Sequence, residues 1–457
     1  MRSFVAALCC TLALFAAVGT APVQAQQSPE TITFDDAVTI ALDQNTDLRR
    51  AINDVRRQDA TIRQRQFDFA PNLSINSGTT RQFGRSFSQE EGAIVNQTTD
   101  IFRVGANSSV TVFDGFNNIA SLQQANRRGE ASELNLERTR QDVVFTVMEQ
   151  FIDLAQSKQE VEVREEEVAV QRQQLEQIQE FVDAGARPTS DLFQAEADLA
   201  QAEQQLLQSE RQVEVNTTRL IQTLQLDPFG TYDFEAPPVS EVATQEQTYA
   251  MDEILQSAFD RRVDLRAQEA NLSASEQSIR IAQSSYWPSL SLNFGYNTNW
   301  ASTAALPGDP NPSFFDVLDS RRGGNVGISL SFAVFDRLQR RNQTAQARAD
   351  VRQAEYNLQD QRQSIALQVR QAVLDYRNAL KQLEVADTRL RAAERAREAA
   401  EERYNLGSAS IVELSQATRD FTDAASQQVQ AEFNVVFQQK LIDYQVGTLN
   451  PNAPLFE

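Results

Sequence analysis

Carboxylates are almost the only reactive groups in this chain. Its 457 residues hold 63 Asp and Glu and no histidine, and its 2 cysteines, Cys9 and Cys10, lie side by side in an apolar run near the start. Such a set allows acid–base work by paired acids, as at Asp252-Glu253, or attraction of cations by an acidic surface. Outside that apolar run it provides no Ser-His or Cys-His nucleophile, no imidazole or thiolate metal site and no disulfide. Adjacent acids are common in any acidic chain, and no other reactive side chain accompanies these, so catalysis has weak support. The run Glu160, Glu162, Glu165, Glu166 and Glu167 reads as a solvated helical face.

The start of the chain has its own logic. Residues 1–25 read as a secretory signal, with Arg2 as the positive end, Phe4 to Val18 as the apolar core and Val23-Gln24-Ala25 as a small-x-small cleavage site. Without Arg2 the net charge goes from −21 to −21 − 1 = −22. Nucleic-acid binders present basic faces, so that class of partner is excluded. The acidity fits a cation-attracting lumen, and equally well plain solubility or a salty habitat. Beyond residue 25 no apolar stretch approaches the roughly 20 residues a membrane-spanning helix requires. An exported chain of this kind enters a membrane only as a closed barrel.

The remaining sequence is written twice. Asp47-Leu48-Arg49 matches Asp264-Leu265-Arg266, and Pro71 matches Pro288, at a shift of 264 − 47 = 217. Val104-Gly105 matches Val326-Gly327, Phe113-Asp114 matches Phe335-Asp336, and Gly185 matches Gly407, at a shift of 407 − 185 = 222. One supersecondary unit was duplicated. In each copy an amphipathic helical segment, Phe34 to Phe69 or Met251 to Tyr286, runs up to its proline. The period then changes to alternation. Leu290, Leu292, Phe294 and Tyr296 alternate with Ser289, Ser291, Asn293 and Gly295, and Val104, Ala106, Val110 and Val112 alternate with small or polar residues. Each copy thus predicts a hairpin of about ten-residue strands, apolar on one face, which suits either a lipid-facing barrel or half of a soluble sandwich. Aromatics near the strand ends, Trp287, Trp300, Phe314, Phe315, Phe113 and Phe335, lean toward the barrel. Phe83 to Thr99 and Ala304 to Asn325 read as surface loops. Four strands cannot close, because about eight is the smallest barrel, whereas a trimer would supply 4 × 3 = 12.

Long helices follow the strands. Leu338 to Leu406 has 406 − 338 + 1 = 69 residues without glycine or proline, a rod of roughly 100 Å at about 1.5 Å per residue. Asn117 to Ala184 is its counterpart. Leu154, Val161, Val168, Leu175 and Val182 in the first rod, and Val369, Tyr376, Leu383, Leu390 and Tyr404 in the second, hold a seven-residue register, with an alanine stripe at Ala372, Ala379, Ala386, Ala393 and Ala400. Each rod ends at its glycine and reverses into a second helix, Pro188 to Leu226 or Ser410 to Val446. Proline suits a first helical turn, and Ser410 with Glu413 forms a capping box. The predicted division is 1–25 signal, 26–70 helix, 71–116 hairpin, 117–226 helical hairpin, 227–250 linker, 251–287 helix, 288–337 hairpin, 338–449 helical hairpin and 450–457 tail.

In this order the chain resembles the TolC-type outer membrane efflux proteins along essentially its whole mature length. The resemblance rests on Pro71 and Pro288 before the hairpins, Phe113-Asp114 and Phe335-Asp336 after them, the two helical tips, and the ending Leu441-Ile442 to Gly447-Thr448-Leu449-Asn450. It implies a mostly α fold with a membrane β-barrel: a homotrimer with a 12-strand barrel and a 12-helix periplasmic tunnel, docked by a periplasmic adaptor and an inner-membrane transporter, with no cofactor. It implies further that Tyr404 and Asp191 hydrogen-bond between coils to hold the periplasmic end closed. By the same resemblance Glu413 stands in an acidic ring at the constriction, and Gly185, Ala186, Gly407, Ser408 and Ala409 form the docking tips. The family pattern carries an arginine where this chain has Ala409 and a second acid where it has Gln416, and Arg187 is the candidate for the missing cation. A periplasmic adaptor is the alternative reading, since it too uses helical hairpins, but it would need soluble β domains flanking a single one.

Overall fold

The computed structural model describes residues 30–88, 92–235, 247, 249–304, 306–307, 309 and 312–449, so the expected signal at 1–25 and the tail at 450–457 lie outside the described residues. The first copy runs β1 (Glu30–Thr33), α1 (Phe34–Gln44), α2 (Thr46–Phe67), β2 (Ser74–Ser88), β3 (Ala93–Phe113), α3 (Asn117–Asp183) and α4 (Thr189–Leu224). After β4 (Tyr232–Glu235) the second copy follows as α5 (Met251–Arg261), α6 (Val263–Ser284), β5 (Ser289–Ala301), α7 (Phe314–Ser320), β6 (Gly323–Ser331), α8 (Gln339–Asn405) and α9 (Ile411–Val446). Corresponding helices have equal lengths, 11 residues for α1 and α5, 22 for α2 and α6, 67 for α3 and α8, and 36 for α4 and α9. The duplication therefore preserved geometry as well as sequence order.

Each predicted leading helix is in fact two. At Asn45 the backbone leaves the helix (φ −57°, ψ 129°), and the Asn45 Oδ1 accepts from Asp47 N at 2.9 Å and Leu48 N at 3.3 Å, starting a new helix. A short polar side chain that satisfies the orphan amides of a helix start makes the break stable. Arg262 marks the same break in the second copy (φ −65°, ψ 115°), where its buried guanidinium binds Asp264 at 2.6 Å and Gln368 at 2.9 Å. The capping box at the start of α1, between Thr33 and Asp36, is complete. The expected box at Ser410 is half formed. Ser410 accepts from Glu413 N, while the Glu413 carboxylate turns to Arg403. Pro188 sits one position earlier than expected, as the N-cap of α4 rather than in its first turn.

The strands join into one antiparallel sheet in the order β2-β3-β5-β6. Register pairs Ile75 with Ala106, Ala106 with Tyr296, Phe294 with Val326 and Leu292 with Ile328, so the apolar positions of all four strands share one face. Beyond the end at Phe102 and Trp300, where α7 packs, that face is uncovered, with Ile75, Ile328 and Leu330 each more than 70% exposed. The strands of the first hairpin are longer than predicted. Pairing extends to Ser88 with Ala93, so most of the expected loop Phe83 to Thr99 is strand. The second expected loop, Ala304 to Asn325, contains α7, started by Ser313, whose Oγ accepts from Asp316 N. The linker 227–250 also contributes structure, because β4 pairs in parallel with β1.

Each hairpin hands over to its rod through two consecutive left-handed residues, Gly115 and Phe116 in one copy, Arg337 and Leu338 in the other. Asp114 accepts from Asn118 N at 3.0 Å and Asp336 from Arg340 N at 2.9 Å, which explains the repeated Phe-Asp pair as a helix-start device. The main core lies at mid-rod. Phe34, Phe151 and Phe234 meet edge to face with centroids 5.4 and 5.8 Å apart, among Val144, Met148, Leu220, Leu224 and Val436. There the β1–β4 ribbon and α1 strap α3, α4 and α9 together. In α8 the seam residues Val369, Tyr376, Ala372 and Ala379 are buried as the heptads predict.

Candidate functional site

The two helical tips come together at one end of the molecule. Schellman-type bonds close each rod. Gly185 N donates to Val182 O and Ala186 N to Phe181 O, and Gly407 N donates to Tyr404 O and Ser408 N to Arg403 O. Both glycines are left-handed, at φ 72° and 74°. Beneath them Ile178, Ala195, Ala400, Tyr404, Ala409, Ile411 and Leu414 form a small core shared by the two hairpins.

Tyr404 and Arg187 are the hub of that core. The Arg187 Nη2 donates to the Tyr404 carbonyl, and its guanidinium lies 4.3 Å from the centroid of the Tyr404 ring. This clamp joins the turn of the first hairpin to the last helical turn of the second rod. Tyr404 is 2% exposed, and its hydroxyl is sealed from solvent without a hydrogen-bond partner in the single chain. Asp191, the expected partner, lies close enough for its carboxylate to act on this hydroxyl. Burial first, and the Asp191 charge second, push the Tyr404 phenol up, with Arg187 opposing them. A buried polar atom left open is costly, so this hydroxyl is poised for an acceptor.

The other expected residues occupy different surroundings. Glu413 ion-pairs with Arg403, both about half exposed. Gln416 Nε2 donates to Asp420 Oδ1 at 2.9 Å on its own helix and faces away from the tip core. Gly185, Ala186, Gly407 and Ser408 are exposed, whereas Ala409 is packed beneath Tyr404. Sequence reasoning missed Asp198, 7% exposed, which accepts from Ser415 Oγ at 2.5 Å, Arg419 Nη1 at 3.1 Å and Gln194 Nε2 at 3.0 Å. It ties α4 to α9 two turns from the tip. Its signal was its spacing, 198 − 191 = 7 residues from Asp191 and hence on the same stripe.

At the far end the polar face of the sheet is a ladder of amides and glycines. A Cβ on Gly105 would meet Asn297 Oδ1 at 2.0 Å, and one on Gly295 would meet Asn325 Oδ1 at 2.6 Å, so these glycines make room for asparagines lying across the strands. Asn76 and Asn107 line the same surface beside Arg103, around a cavity of about 640 Å³. Apart from Arg103 and Arg321, the lining of this cavity is uncharged.

Three comparisons place these features among known proteins. A family model described as Outer membrane efflux protein matches residues 37–224 and 254–440, one match to each copy of the repeat. Outer membrane protein TolC of Vibrio cholerae serotype O1 is 21% identical over 354 residues, covering 77% of this chain and 78% of the relative. Protein CyaE of Bordetella pertussis is 23% identical over 394 residues, covering 86% and 79%. The fold is similar to that of the Campylobacter jejuni CmeC outer membrane channel, with a TM-score of 0.77 at 16% identity over 93% of this chain and 87% of that one.

Proposed function

Because the chain belongs to the outer membrane efflux protein family, we propose that three copies form one continuous duct, gated at the helical tips and fed by inner-membrane machinery. The protein is an outer membrane channel protein whose helices extend into the periplasm; it is not an enzyme. The trimer, the gate and the partners are our reading.

The observation that carries the trimer is the unfinished sheet. β2 and β6 are edges of a four-stranded sheet whose apolar face is bare except where α7 packs at its far end. An open apolar sheet edge is a site for pairing, and closure alone removes it. Three copies give 4 × 3 = 12 strands, a permitted even number. The helices carry the same message. Tyr356, Leu367, Leu374 and Val385, each more than half exposed, fall at spacings of 11, 7 and 11 residues, on one face of α8. A second copy would cover that stripe, as one stave of a tunnel covers the next. The adaptor reading lacks its required soluble β domains flanking a single hairpin.

In the closed duct the amide-lined sheet face turns inward, and neutral amides offer donors and acceptors to cargo of either sign. Gating falls to the tips, where the Arg187 clamp holds the two hairpins of each protomer together and the open Tyr404 hydroxyl awaits an acceptor. Asp191 and Tyr404 hold the periplasmic end closed, and Glu413 with Gln416 lines the constriction. The exposed glycine turns around Gly185 and Gly407 receive a periplasmic adaptor, and an inner-membrane transporter supplies the energy. Unheated gel electrophoresis of the purified protein tests the assembly. A trimer that heat converts to monomer, together with steps of conductance in planar bilayers, supports the duct. A monomer that forms no channels overturns it.

A further inference from the structure

The helix α7 lies on the outside of the sheet, where the chain returns from β5 to β6. Phe314 packs on Phe102 and on Trp300, each with centroids 5.5 Å away, and Thr298 Oγ1 donates to Leu318 O at 2.5 Å. Phe102, Thr298 and Trp300 belong to the face that carries Val104, Tyr296 and Phe294. Val317 is fully buried against that face, whereas Phe315 is 78% exposed and points away from the protein. α7 sits over the two central strands, β3 and β5, and not over the edges β2 and β6, so a neighbouring copy pairing at those edges would leave it uncovered.

Two further features fix its height. On the same face, two register steps beyond Phe102, Arg81 and Asp100 form a paired contact at 2.5 and 2.7 Å. Charges on a lipid-facing strand are costly near the midplane and tolerated only toward the interface. At the other end Tyr286, Trp287, Phe116 and Phe335 are exposed next to the rods. Trp287 and Trp300 stand 300 − 287 = 13 positions apart. At about 3.4 Å each and a tilt of about 40°, that is roughly 34 Å, which sets the two rings just beyond the two edges of a barrel's apolar band of about 25 Å.

We propose that α7 is a lipid-seated foot, with Phe315 inserted at the headgroup boundary of the outer leaflet and completing the upper aromatic girdle of Phe102, Trp300 and Phe314. The proposal rests on the barrel reading above. It assigns the exposed ring a partner, the acyl-chain and headgroup boundary of the membrane, by continuity with the bare apolar face beneath it. The foot would resist vertical movement of the barrel when the rods are pulled or docked from below.

The test uses single-tryptophan proteins in a Trp287→Phe, Trp300→Phe background, reconstituted in phosphatidylcholine vesicles brominated either near the headgroup or near the chain end. Phe315→Trp is expected to lose about half of its emission to headgroup-proximal bromine, more than to deep bromine, and little to aqueous iodide. Ile328→Trp, on the bare face of β6, reports on the barrel itself. If Ile328→Trp is quenched by bromolipid while Phe315→Trp responds only to iodide, the foot is wrong and the barrel stands. If bromolipid quenches neither, the barrel reading fails and the proposal falls with it.

Discussion

Replacing Arg187 by alanine removes both halves of the tip clamp at once. One half is a hydrogen bond from a charged donor to the Tyr404 carbonyl, worth about 1.5–3 kcal/mol in general and nearer the lower value for a half-buried guanidinium. The other is the stacking of that guanidinium 4.3 Å over the Tyr404 ring, worth about 0.5–1 kcal/mol. Together they hold the first hairpin to the second rod by about 2–3 kcal/mol per protomer, which at about 1.4 kcal/mol per decade shifts the balance of closed and open tips about 30- to 140-fold. Single-channel recording in planar bilayers should therefore show a longer open time or a higher mean conductance for Arg187→Ala. Arg187→Lys keeps the charge but loses the planar stack and the forked donor, and is expected to fall between the two. The apolar members of the shared tip core, Ile178, Ala195, Ala400, Ile411 and Leu414, keep their packing without Arg187, so the fold should persist. Identical conductance and open times in both variants, with the trimer intact, would show that this contact does not hold the tip.

Removing both Asp191 and Tyr404 should raise conductance beyond either single change, whereas unchanged conductance would remove them from the gate. Glu413→Gln should reduce preference for cations, and Arg403→Gln, which frees Glu413 from its ion pair, should increase it; an unaltered reversal potential in both would locate selectivity elsewhere. Gly115→Ala should destabilise strongly, because φ is +70° and the added Cβ would meet Ser284 O at 2.3 Å, while Arg337→Gly at the matching left-handed site should stabilise by about 1 kcal/mol, both read from thermal unfolding in detergent. Glu167 departs from the solvated face expected of its run: it is buried in α3 beside Arg164, Glu160 and Asp423, and burial chiefly raises its carboxyl. A raised folded-state value means that stability is fully present below the ordinary carboxylate range and lost as pH rises through the raised value, so acid should tighten the α3–α9 seam; Glu167→Gln should flatten the dependence of melting temperature on pH above the ordinary carboxylate range, and a profile parallel to the parent's would refute this.

Much of the architecture follows from sequence because periodicity and chain breaks are local. Seven-residue spacing in α3 and α8, glycine at the two turns, and alternation after Pro71 and Pro288 each act over a few residues, and the duplication let each copy check the other. The breaks at Asn45 and Arg262 were hidden because both lie inside amphipathic runs whose apolar pattern continues across them, and only side-chain capping or a buried guanidinium makes the interruption pay off in hydrogen bonds. The β1–β4 ribbon was hidden for another reason. Its strands are four residues each and stand 232 − 30 = 202 residues apart, so no local signal connects them.

The tip shows where that division falls. Sequence determined that two glycine turns exist, that Tyr404 closes the second seam, and that Arg187 stands near the first turn. It could not determine that Arg187 reaches the Tyr404 carbonyl, or that Asp198 binds Ser415 and Arg419 across α4 and α9. Those contacts join residues more than 200 positions apart, and their geometry is set by how the two hairpins pack at mid-rod, about 50 Å away along helices that rise about 1.5 Å per residue. Helix period is a property of neighbours in the chain; the choice of partner at the end of a rod is a property of the whole bundle, and only the tertiary structure decides it.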